Sequence, residues 1–435
     1  MEEDSKATAS GAAASTVVSD TANQSARMPS RFWILLGAAG ASNLADGIFK
    51  MVVPLVAVTL TRDPMRVAGV SVAASLPWLL CSLPVGVLVD RLDRRVVMLV
   101  ANVVRSLITA IIVLCGTIGF LNIWVLYVCG VAIGIAEVCY DTSSQSILPQ
   151  IVATAQLQRA NGHLYAAEVT LNNFVGSPLG GLLMGLGVAL SFGVPAALWL
   201  LAAGGLLCIR GRFRVVRTAP PQRMFSEIAE GLRFLMHHRV LRTLAVFTGV
   251  ANMGNAAASA VFVLFAVGIQ SPMKLTDSQY GLLLSAGAVG SLIGAVLSDQ
   301  LINWLGRSRA LIFLTFFVAA LIGVPALTSN VWVIGGIYVV AGCGISVWNV
   351  IVVSLRQAIV PPSLLGRLNS AYRLLAWGMI PVGSAIGGIL AKMLGLRPLF
   401  AVMALLVLLP LVLLREISED RLRAAVVEAE IEKTA

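Results

Sequence analysis

Long apolar segments recur along almost the whole chain, and no other feature of the sequence limits the possible folds more. Each segment is long enough, as a helix, to cross a hydrocarbon layer about 30 Å thick. Inside such a layer every backbone N–H and C=O group needs an internal hydrogen bond, which only helices and closed barrels provide. The chain is therefore predicted to be an all-α membrane protein. Twelve transmembrane helices are expected at residues 33–60, 67–89, 96–118, 122–143, 162–187, 190–209, 242–268, 278–302, 309–327, 331–354, 369–391 and 395–414.

The composition and the placement of charge agree with a multi-pass membrane protein. Hydrophobic residues make up 58% of the chain and charged residues 12%, whereas soluble domains carry about 25% charged residues. The net charge is +10, and most arginines and lysines fall in the predicted termini and in the loops on one side of the membrane. Five of the 31 lie at the opposite side: Arg62, Arg66, Lys274, Lys392 and Arg397. This asymmetry predicts cytoplasmic N and C termini in the inner (cytoplasmic) membrane of the cell, with the lipid bilayer and not a nucleic acid as the partner.

The sequence also contains an internal repeat with a spacing of about 208 residues. Residues 145–149 (QSILP) return as 357–361 (QAIVP), residues 159–161 (RAN) as 367–369 (RLN), and the glycine pair at 180–181 as the pair at 387–388. A duplicated membrane half predicts two pseudo-symmetric six-helix bundles with a site between them. The predicted domains are a disordered cytoplasmic tail (1–31), an N-terminal bundle (32–209), a cytoplasmic connecting loop (210–241), a C-terminal bundle (242–414) and a cytoplasmic tail (415–435).

The connecting loop contains a short amphipathic segment, residues 226–235. Ile228, Leu232 and Leu235 lie on one face of the helix that this segment would form. Two placements are open for it: along the inner surface of the membrane, against anionic lipid, or as an ordinary linker helix.

No pattern in the sequence predicts an enzyme, a cofactor or a metal site. The six cysteines all fall within predicted helices without the spacing of metal ligands, and the three histidines lie at predicted membrane edges. The chain has no GxxxxGK[ST] loop for ATP. A membrane protein built from two such halves around a central site could be a transporter. Without an ATP-binding loop, its transport would draw energy from an ion gradient.

A glycine, an acid and a basic cluster follow one another at the cytoplasmic end of the second predicted helix: Gly86, Asp90, Arg91, Arg94 and Arg95. This spacing resembles the G-x-x-x-D-R-x-x-R-R signature of the major facilitator superfamily, although Asp93 stands where that family usually has glycine. The resemblance implies the twelve-helix major facilitator fold and a conformational latch between its halves. Asp90 is expected to face the positively charged start of the eleventh helix. A looser copy around Asp299 is expected to face the fifth helix as a weaker latch.

Other segments resemble the drug:proton antiporter branch of that superfamily, which includes macrolide-efflux and siderophore exporters. They are residues 43–47 (NLADG), 230–235 (EGLRFL) and 356–361 (RQAIVP), whereas residues 176–181 (GSPLGG) depart from the G-P-x-x-G-G pattern common in antiporters. This resemblance implies a secondary active transporter, expected to be a monomer, that exports apolar or amphipathic small molecules against protons by alternating access. Proton-coupled uptake, export of a native metabolite, lipid or siderophore, and a non-transporting sensor are the alternatives.

Ionisable residues inside membrane helices are costly and need a function or a partner. The candidates for proton coupling are Asp46, as first choice, Glu137 and Glu168. Lys50 lies four residues after Asp46 on the same helical face, so the two are expected to form a pair. That pair either only makes burial tolerable or adjusts Asp46 as a proton carrier. Arg105 is expected to pair with Glu137 or Asp141 inside the N-terminal bundle.

Polar side chains in other predicted helices indicate a candidate substrate cavity. Asparagine amides inside a bundle either line such a cavity or join helices by hydrogen bonds, and both interpretations are open. Arg373 is a candidate for the latch or for binding an anionic group of the substrate. The cavity candidates are Asn43, Asn172, Asn252, Asn255, Asn349 and Arg373.

Overall fold

The computed structural model describes residues 28–153, 156–211, 213, 224–424 and 427. The predicted tail before residue 28, most of the arginine-rich start of the connecting loop and the end of the C-terminal tail lie outside the described residues. The helices are α1 (Ser30–Leu60), α2 (Pro64–Leu80), α3 (Ser82–Arg91), α4 (Arg94–Thr117), α5 (Ile123–Ile147), α6 (Leu157–Glu168), α7 (Gly176–Leu186), α8 (Val188–Leu207), α9 (Met224–His237), α10 (Arg239–Ala266), α11 (Asp277–Leu305), α12 (Arg307–Leu327), α13 (Val331–Ile359), α14 (Pro362–Leu394) and α15 (Leu396–Leu408). A π-helical segment, Val169–Val175, joins α6 to α7, and 3₁₀ turns cover Leu148–Gln150 and Leu409–Ile417.

The described part of the chain is almost entirely helical, and ten of its helices are long and apolar enough to cross a membrane. Two predicted spans are interrupted. The second is divided into α2 and α3, close to Pro84, which has no N–H group to donate to the carbonyl of Leu80. The fifth is divided into α6, the π-helical segment and α7. The predicted all-α membrane fold is confirmed, and the architecture is consistent with twelve spans.

The two halves turn their helices with matching residues at the spacing of the sequence repeat. Asn122 caps the start of α5 by accepting a hydrogen bond from the Trp124 N–H at 3.0 Å. Asn330 caps the start of α13 in the same way, from the Trp332 N–H at 2.9 Å. Gly187 after α7 and Gly395 after α14 both have positive φ, which lets each chain turn sharply into the next helix. Local structure therefore repeats with the sequence.

The halves meet mainly along two pairs of helices, α2 with α14 and α7 with α11, and α10 also contacts α1 and α2. We call the end of the molecule formed by residues 61–63, 268–276 and 395 the far end, and the opposite end, which carries residues 92–93 and 306 and helix α9, the basic end. Near the far end the backbones of α7 and α11 approach so closely that only glycine fits. A Cβ atom added to Gly281 would lie 2.6 Å from the Ser177 carbonyl oxygen.

Helix α9 of the connecting loop packs against the C-terminal half. Leu235 is fully buried in a cluster that includes Leu241 and Leu368. Glu230 and Arg367 form an ion pair between α9 and α14. Of the apolar face, Leu235 is covered by protein and Leu232 is half-buried, while the side chain of Ile228 lies outside the described residues. Both placements of the amphipathic segment stay open.

Candidate substrate cavity and ion-pair network

A cavity with at least four adjoining parts lies between the halves. Two parts hold about 840 Å³ each, one lined by residues of both halves and the other mainly by the C-terminal half. A third part of about 560 Å³ lies mainly against the N-terminal half, and a fourth of about 490 Å³ lies mainly against the C-terminal half. Neighbouring parts share lining residues. The cavity walls include all six predicted cavity residues: Asn43, Asn172, Asn252, Asn255, Asn349 and Arg373.

Two of these asparagines also join backbone segments. The Asn252 amide donates a hydrogen bond to the Ala376 carbonyl at 2.7 Å and so links α10 to α14. The Asn43 amide donates to the Ala39 carbonyl in its own helix at 2.9 Å. For Asn252 both interpretations of a buried amide therefore hold, since it lines the cavity and connects two helices.

Asp46 and Arg105 form a buried ion pair between α1 and α4. The Arg105 Nη1 atom lies 3.2 Å from Asp46 Oδ1, and the Arg105 side chain is fully buried. The indole N–H of Trp199 donates a second hydrogen bond to Asp46 Oδ1 at 3.2 Å. The guanidinium also lies over the ring of Tyr140, 5.1 Å from its centroid. Asp46 is thus held by partners from α4 and α8.

Lys50 and Glu137 form a second ion pair, between α1 and α5, with 3.0 Å between Nζ and Oε1. The predicted pairs of Lys50 with Asp46, and of Arg105 with Glu137 or Asp141, are therefore wrong. The physical reason is the rotation of the helices. Asp46 faces α4 at the level of Arg105, whereas the longer Lys50 side chain extends to α5, so four residues of separation on one helix did not decide the pairing.

Asp141 and Glu168 differ from the other acids of the cavity. Both line its N-terminal part. Within the part of the chain that the structure describes, neither carboxylate lies within 4 Å of a lysine or arginine nitrogen. Asp141 follows Glu137 by one helical turn on α5, and Glu168 ends α6 where the π-helical segment begins. The N-terminal wall thus combines two ion pairs with two acids that have no cation partner in the described part of the chain.

The arginines of the predicted latch contact the N-terminal half itself. Arg94 Nη1 donates a hydrogen bond to the Ser146 carbonyl at 2.8 Å, and Arg95 Nε donates to the Leu206 carbonyl at 2.8 Å. Both acceptors are carbonyls in the last turn of a helix, where unpaired carbonyl groups attract cations. The expected contact was with the other half, so these contacts differ from the prediction. Asp93, the departure from the signature, caps α4 and also accepts a hydrogen bond from the Phe213 N–H.

The other latch residues are less constrained. The side chain of Asp90 lies outside the described residues, Gly86 lies within α3, and Arg91 is exposed at its end. Asp299 is exposed on α11 and makes no hydrogen bond or ion pair with any described residue. Its expected contact with the fifth helix is therefore absent from this conformation, in which α11 meets α7 near the far end.

At the far end, polar contacts hold the two halves together. Lys392 Nζ on α14 donates to Asp63 Oδ2 at 3.0 Å, and Arg62 Nη1 donates to the Val267 carbonyl at 3.1 Å. The hydrogen bond from Lys392 lowers the pKa of Asp63 below the usual range of an aspartate. Sequence reasoning missed this closure, although opposite charges at the two predicted helix ends were a usable signal.

Sequence reasoning also missed several residues of the cavity wall. Trp78 and Trp377 meet across the halves with 5.2 Å between ring centroids, and the Arg373 guanidinium lies 4.6 Å from the Trp377 ring. Arg373 Nη1 also donates to Gln145 Oε1 at 3.4 Å. Arg356 lines the same part of the cavity. The repeated QxIxP segment, which contains Gln145 and follows Arg356, was the available signal.

A family model described as "Transmembrane secretion effector" matches residues 26–431 of this chain. The chain belongs to this family of the major facilitator superfamily. The transporter is 29% identical over 394 residues to the multidrug efflux pump Tap of Mycobacterium tuberculosis, with 86% of this chain and 89% of that protein covered. It is 27% identical over 363 residues to the enterobactin exporter EntS of Salmonella typhimurium, with 80% and 82% covered. The family and these relatives are transporters, which confirms that the chain is not an enzyme.

Solved structures of other transporters share the fold. A bacterial homologue of the iron transporter ferroportin, in an inward-facing state, superposes with a TM-score of 0.70 at 18% identity, covering 89% of this chain and 98% of that one. The nucleoside transporter NupG gives a TM-score of 0.70 at 10% identity, covering 89% and 99%. At these identities the likeness concerns the fold alone.

Proposed function

We propose that this transporter exports apolar or amphipathic small molecules by proton-coupled antiport, with its two halves alternating access to the cavity. The observation that carries the proposal is the set of acids and bases on the N-terminal wall of a cavity whose remaining wall is mostly apolar and amide-bearing. Charges inside a membrane are retained for a function. The relatives named as a multidrug efflux pump and an enterobactin exporter support export as the direction.

Asp141 is our first candidate for the acid that carries the proton, ahead of Asp46, Glu168 and Glu137. Asp46 and Glu137 each have a cation at 3.2 Å or less, so protonating either would leave a buried or half-buried base without its counter-charge. Asp141 has no such partner among the described residues and faces the same cavity. Its protonation removes a charge from the wall and creates no unpaired one.

The direction of opening follows from the distribution of basic residues. We propose that the basic end faces the cytoplasm and the far end faces outward, because membrane proteins concentrate arginine and lysine in cytoplasmic loops. The contacts of Asp63 and Arg62 with the C-terminal half then close the outer side, and the cavity is loaded from the cytoplasm. When the basic end closes, Asp90 meets the start of α14, with Gly86 and Arg91 beside it, while Arg94 and Arg95 hold the loop in place and Asp299 acts as the weaker counterpart.

Vesicles containing the purified transporter test the coupling. Labelled tetracycline, an amphipathic molecule, is the first member of a panel of test compounds, and the vesicle lumen is made acidic relative to the medium. Protons leaving the lumen are expected to drive accumulation of at least one compound. Accumulation should be absent at equal pH and should collapse with a protonophore. Accumulation that ignores the pH gradient for every compound would contradict proton coupling.

Matched neutral variants then assign the acid. Asp141→Asn is expected to abolish gradient-driven accumulation while counterflow exchange of the same compound at equal pH continues, because exchange needs no proton. Glu168→Gln is expected to retain gradient-driven accumulation. If Asp141→Asn accumulates like the wild type and Asp46→Asn does not, Asp46 is the carrier and the argument from pairing is wrong.

Export of a siderophore is the second candidate function. The relative named as an enterobactin exporter supports it. Siderophore secretion by a deletion strain, compared with the same strain carrying the gene, separates the two. Loss of secreted siderophore with unchanged susceptibility to amphipathic drugs would favour the second candidate.

A further inference from the structure

The C-terminal part of the cavity contains two arginines that have no carboxylate within 4 Å among the described residues. We call it the arginine pocket, defined by Arg356, Arg373, Tyr372, Trp348, Trp377 and Gln145, with a volume of about 490 Å³. We propose that the arginine pocket binds the anionic group of an amphipathic ligand, a carboxylate, sulfonate or phosphate. The proposal rests on the proposed function, because it names the class of cargo that the cavity would carry.

Arg356 presents a guanidinium with unused hydrogen-bonding capacity. It lies on α13 above the ring of Tyr372, 4.2 Å from the centroid, and its Nη1 donates to Asn369 Oδ1 at 3.2 Å. Its Nε is buried and has no hydrogen-bond partner among the described residues. The Arg356 Nη2 atom donates to no described residue, and an anion in the pocket would accept hydrogen bonds from this end of the guanidinium.

Arg373 is held in place by aromatic rings and not by an acid. Its guanidinium lies 4.6 Å from the Trp377 centroid and 5.8 Å from that of Trp78, which belongs to the other half. Its hydrogen bond to Gln145 is long, at 3.4 Å, and goes to a neutral oxygen. Stacking of this kind fixes the plane of a guanidinium and leaves its N–H edge free for two parallel bonds to an anion.

Arg105 of the same transporter provides a comparison. Arg105 is fully buried, and Asp46 lies 3.2 Å from it. Arg356 and Arg373 are only half-buried, line a cavity and have no acid within 4 Å among the described residues. Both therefore offer a positive charge to the cavity that the anionic group of a ligand would compensate.

The charges on the opposite wall of the cavity determine where an anionic group would lie. Asp141 and Glu168, which have no cation partner among the described residues, line the N-terminal part of the cavity, so an anion is repelled there and attracted to the arginine pocket. Trp348, Val352 and Trp377 give the pocket an apolar surface against which the body of an amphipathic ligand packs. The charge pattern thus selects a molecule with one anionic end.

A matched pair of fluorescent probes tests the proposal without any pH gradient. The probes are 8-anilinonaphthalene-1-sulfonate and N-phenyl-1-naphthylamine, which share the aromatic body and differ by the sulfonate. Binding to the purified transporter in neutral detergent is followed by energy transfer from tryptophan. The Kd of the sulfonate is expected to rise at least about tenfold in Arg356→Gln and in Arg373→Gln. The Kd of the naphthylamine should stay within about twofold in both variants.

Arg233→Gln is the control for charge alone, since Arg233 is exposed on α9 away from the cavity, and it should change neither Kd. Equal losses for both probes, or no loss for the sulfonate, would overturn the proposal. If a glutamine variant fails to fold, a displacement experiment on the wild-type transporter tests the arginine pocket instead. Sodium octanoate must displace the bound sulfonate, and octanol at the same concentration must not.

The outcome is independent of the coupling experiment. Charge-selective binding together with transport that ignores the pH gradient would retain the arginine pocket and reject proton coupling. Gradient-driven accumulation together with equal binding of the two probes in every variant would reject the arginine pocket and leave the proposed function standing.

Discussion

Asp46 and Arg105 compensate each other's charge at a place where neither would be stable alone. Arg105 is fully buried, and the Trp199 indole and the Tyr140 ring complete its surroundings. Breaking a buried pair by removing one partner leaves an uncompensated charge, which costs more than the pair contributes when intact. The pair is therefore expected to matter for folding more than for coupling.

Replacing Arg105 with methionine is expected to lower the free energy of unfolding by about 3–5 kcal/mol, because Asp46 would remain buried as an unpaired carboxylate. Thermal unfolding in detergent measures the change. Lys50→Met is the comparison in the second ion pair, and its cost should be smaller because Lys50 is 53% exposed, although it leaves Glu137, at 16% exposure, without its cation. The double variant Asp46→Asn/Arg105→Met should recover most of the stability. A double variant as unstable as the single one would show that Arg105 acts through other contacts.

At the scale of residues, the sequence predicted which charged side chains lie within the long apolar helices but not which partners they pair with. Asp46, Lys50, Arg105 and Glu137 were all recognised as intramembrane charges. Their pairing depends on the rotation of α1 against α4 and α5, which is set by packing along the whole helices. The sequence shows only that Asp46 and Lys50 are four residues apart on one helix. Residues with this spacing can form an ion pair, but each can also pair with a residue of another helix.

At the scale of elements, small residues decide how closely helices approach. α11 and α13 are in contact along much of their length, and Gly290 faces the backbone of α13. A Cβ atom added to Gly290 would lie well within contact distance of the Val339 carbonyl oxygen. Without a strong hydrophobic force between helices in lipid, close backbone contact is a main source of association.

Gly290→Ala is expected to lower the free energy of unfolding by about 1–3 kcal/mol, since the helices must separate to admit the methyl group. Gly336→Ala on α13 is the matched control, because a Cβ there meets no atom within 4 Å. That control should be neutral or stabilising by up to about 1 kcal/mol, owing to the better helix propensity of alanine. Thermal unfolding of both variants in one detergent compares them, and equal destabilisation would contradict the packing argument.

The sequence predicted the helices well and their interruptions poorly. The length of an apolar segment shows where a helix crosses the membrane, but it does not show whether the backbone hydrogen bonds inside that helix are α-helical or π-helical. The π-helical segment Val169–Val175 was therefore not predicted. Such segments occur often at functional sites, and this one adjoins Glu168 and contains Asn172, both on the cavity wall. The repeat did predict the matched turns, because Asn122 and Asn330 cap helices from their own side chains and need no tertiary context.

At the scale of the whole molecule, polar contacts at the far end join the two halves and stabilise the conformation in which this end is closed. Asp63 and Lys392 belong to different halves and lie 3.0 Å apart. The hydrogen bond from Lys392 lowers the pKa of Asp63, so the bond stabilises the closed far end wherever an aspartate is ionised, and this contribution is lost only as the pH falls through the lowered pKa. Since ordinary aspartates titrate near about 4, the far end is expected to stay closed across the neutral range.

Opening of the far end can be followed with a cysteine at Ser71, which lines the cavity on α2, after the native cysteines are replaced. In intact cells, Lys392→Ala is expected to raise the rate at which an impermeant thiol reagent labels this cysteine by several-fold, because the closed state loses a contact that the open state does not make. Arg397→Ala is the control, since Arg397 lies at the same end but bonds to Ala326 and Ser329 within its own half.

The exchanged pair Asp63→Lys/Lys392→Asp decides whether the contact itself matters. It keeps both charges and reverses their positions, so labelling at Ser71→Cys should return toward the rate of the parent. A rate as high as that of Lys392→Ala would mean either that the lysine acts through something other than Asp63 or that losing the cap of α2, in which Asp63 accepts from the Met65 N–H, opens the far end by itself. Labelling that does not respond to any of these changes would mean that the glycine-mediated contact of α7 with α11 closes the far end without help from charge. Helix packing would then determine how often the far end is closed, and the ion pair would form in the closed state without stabilising it measurably.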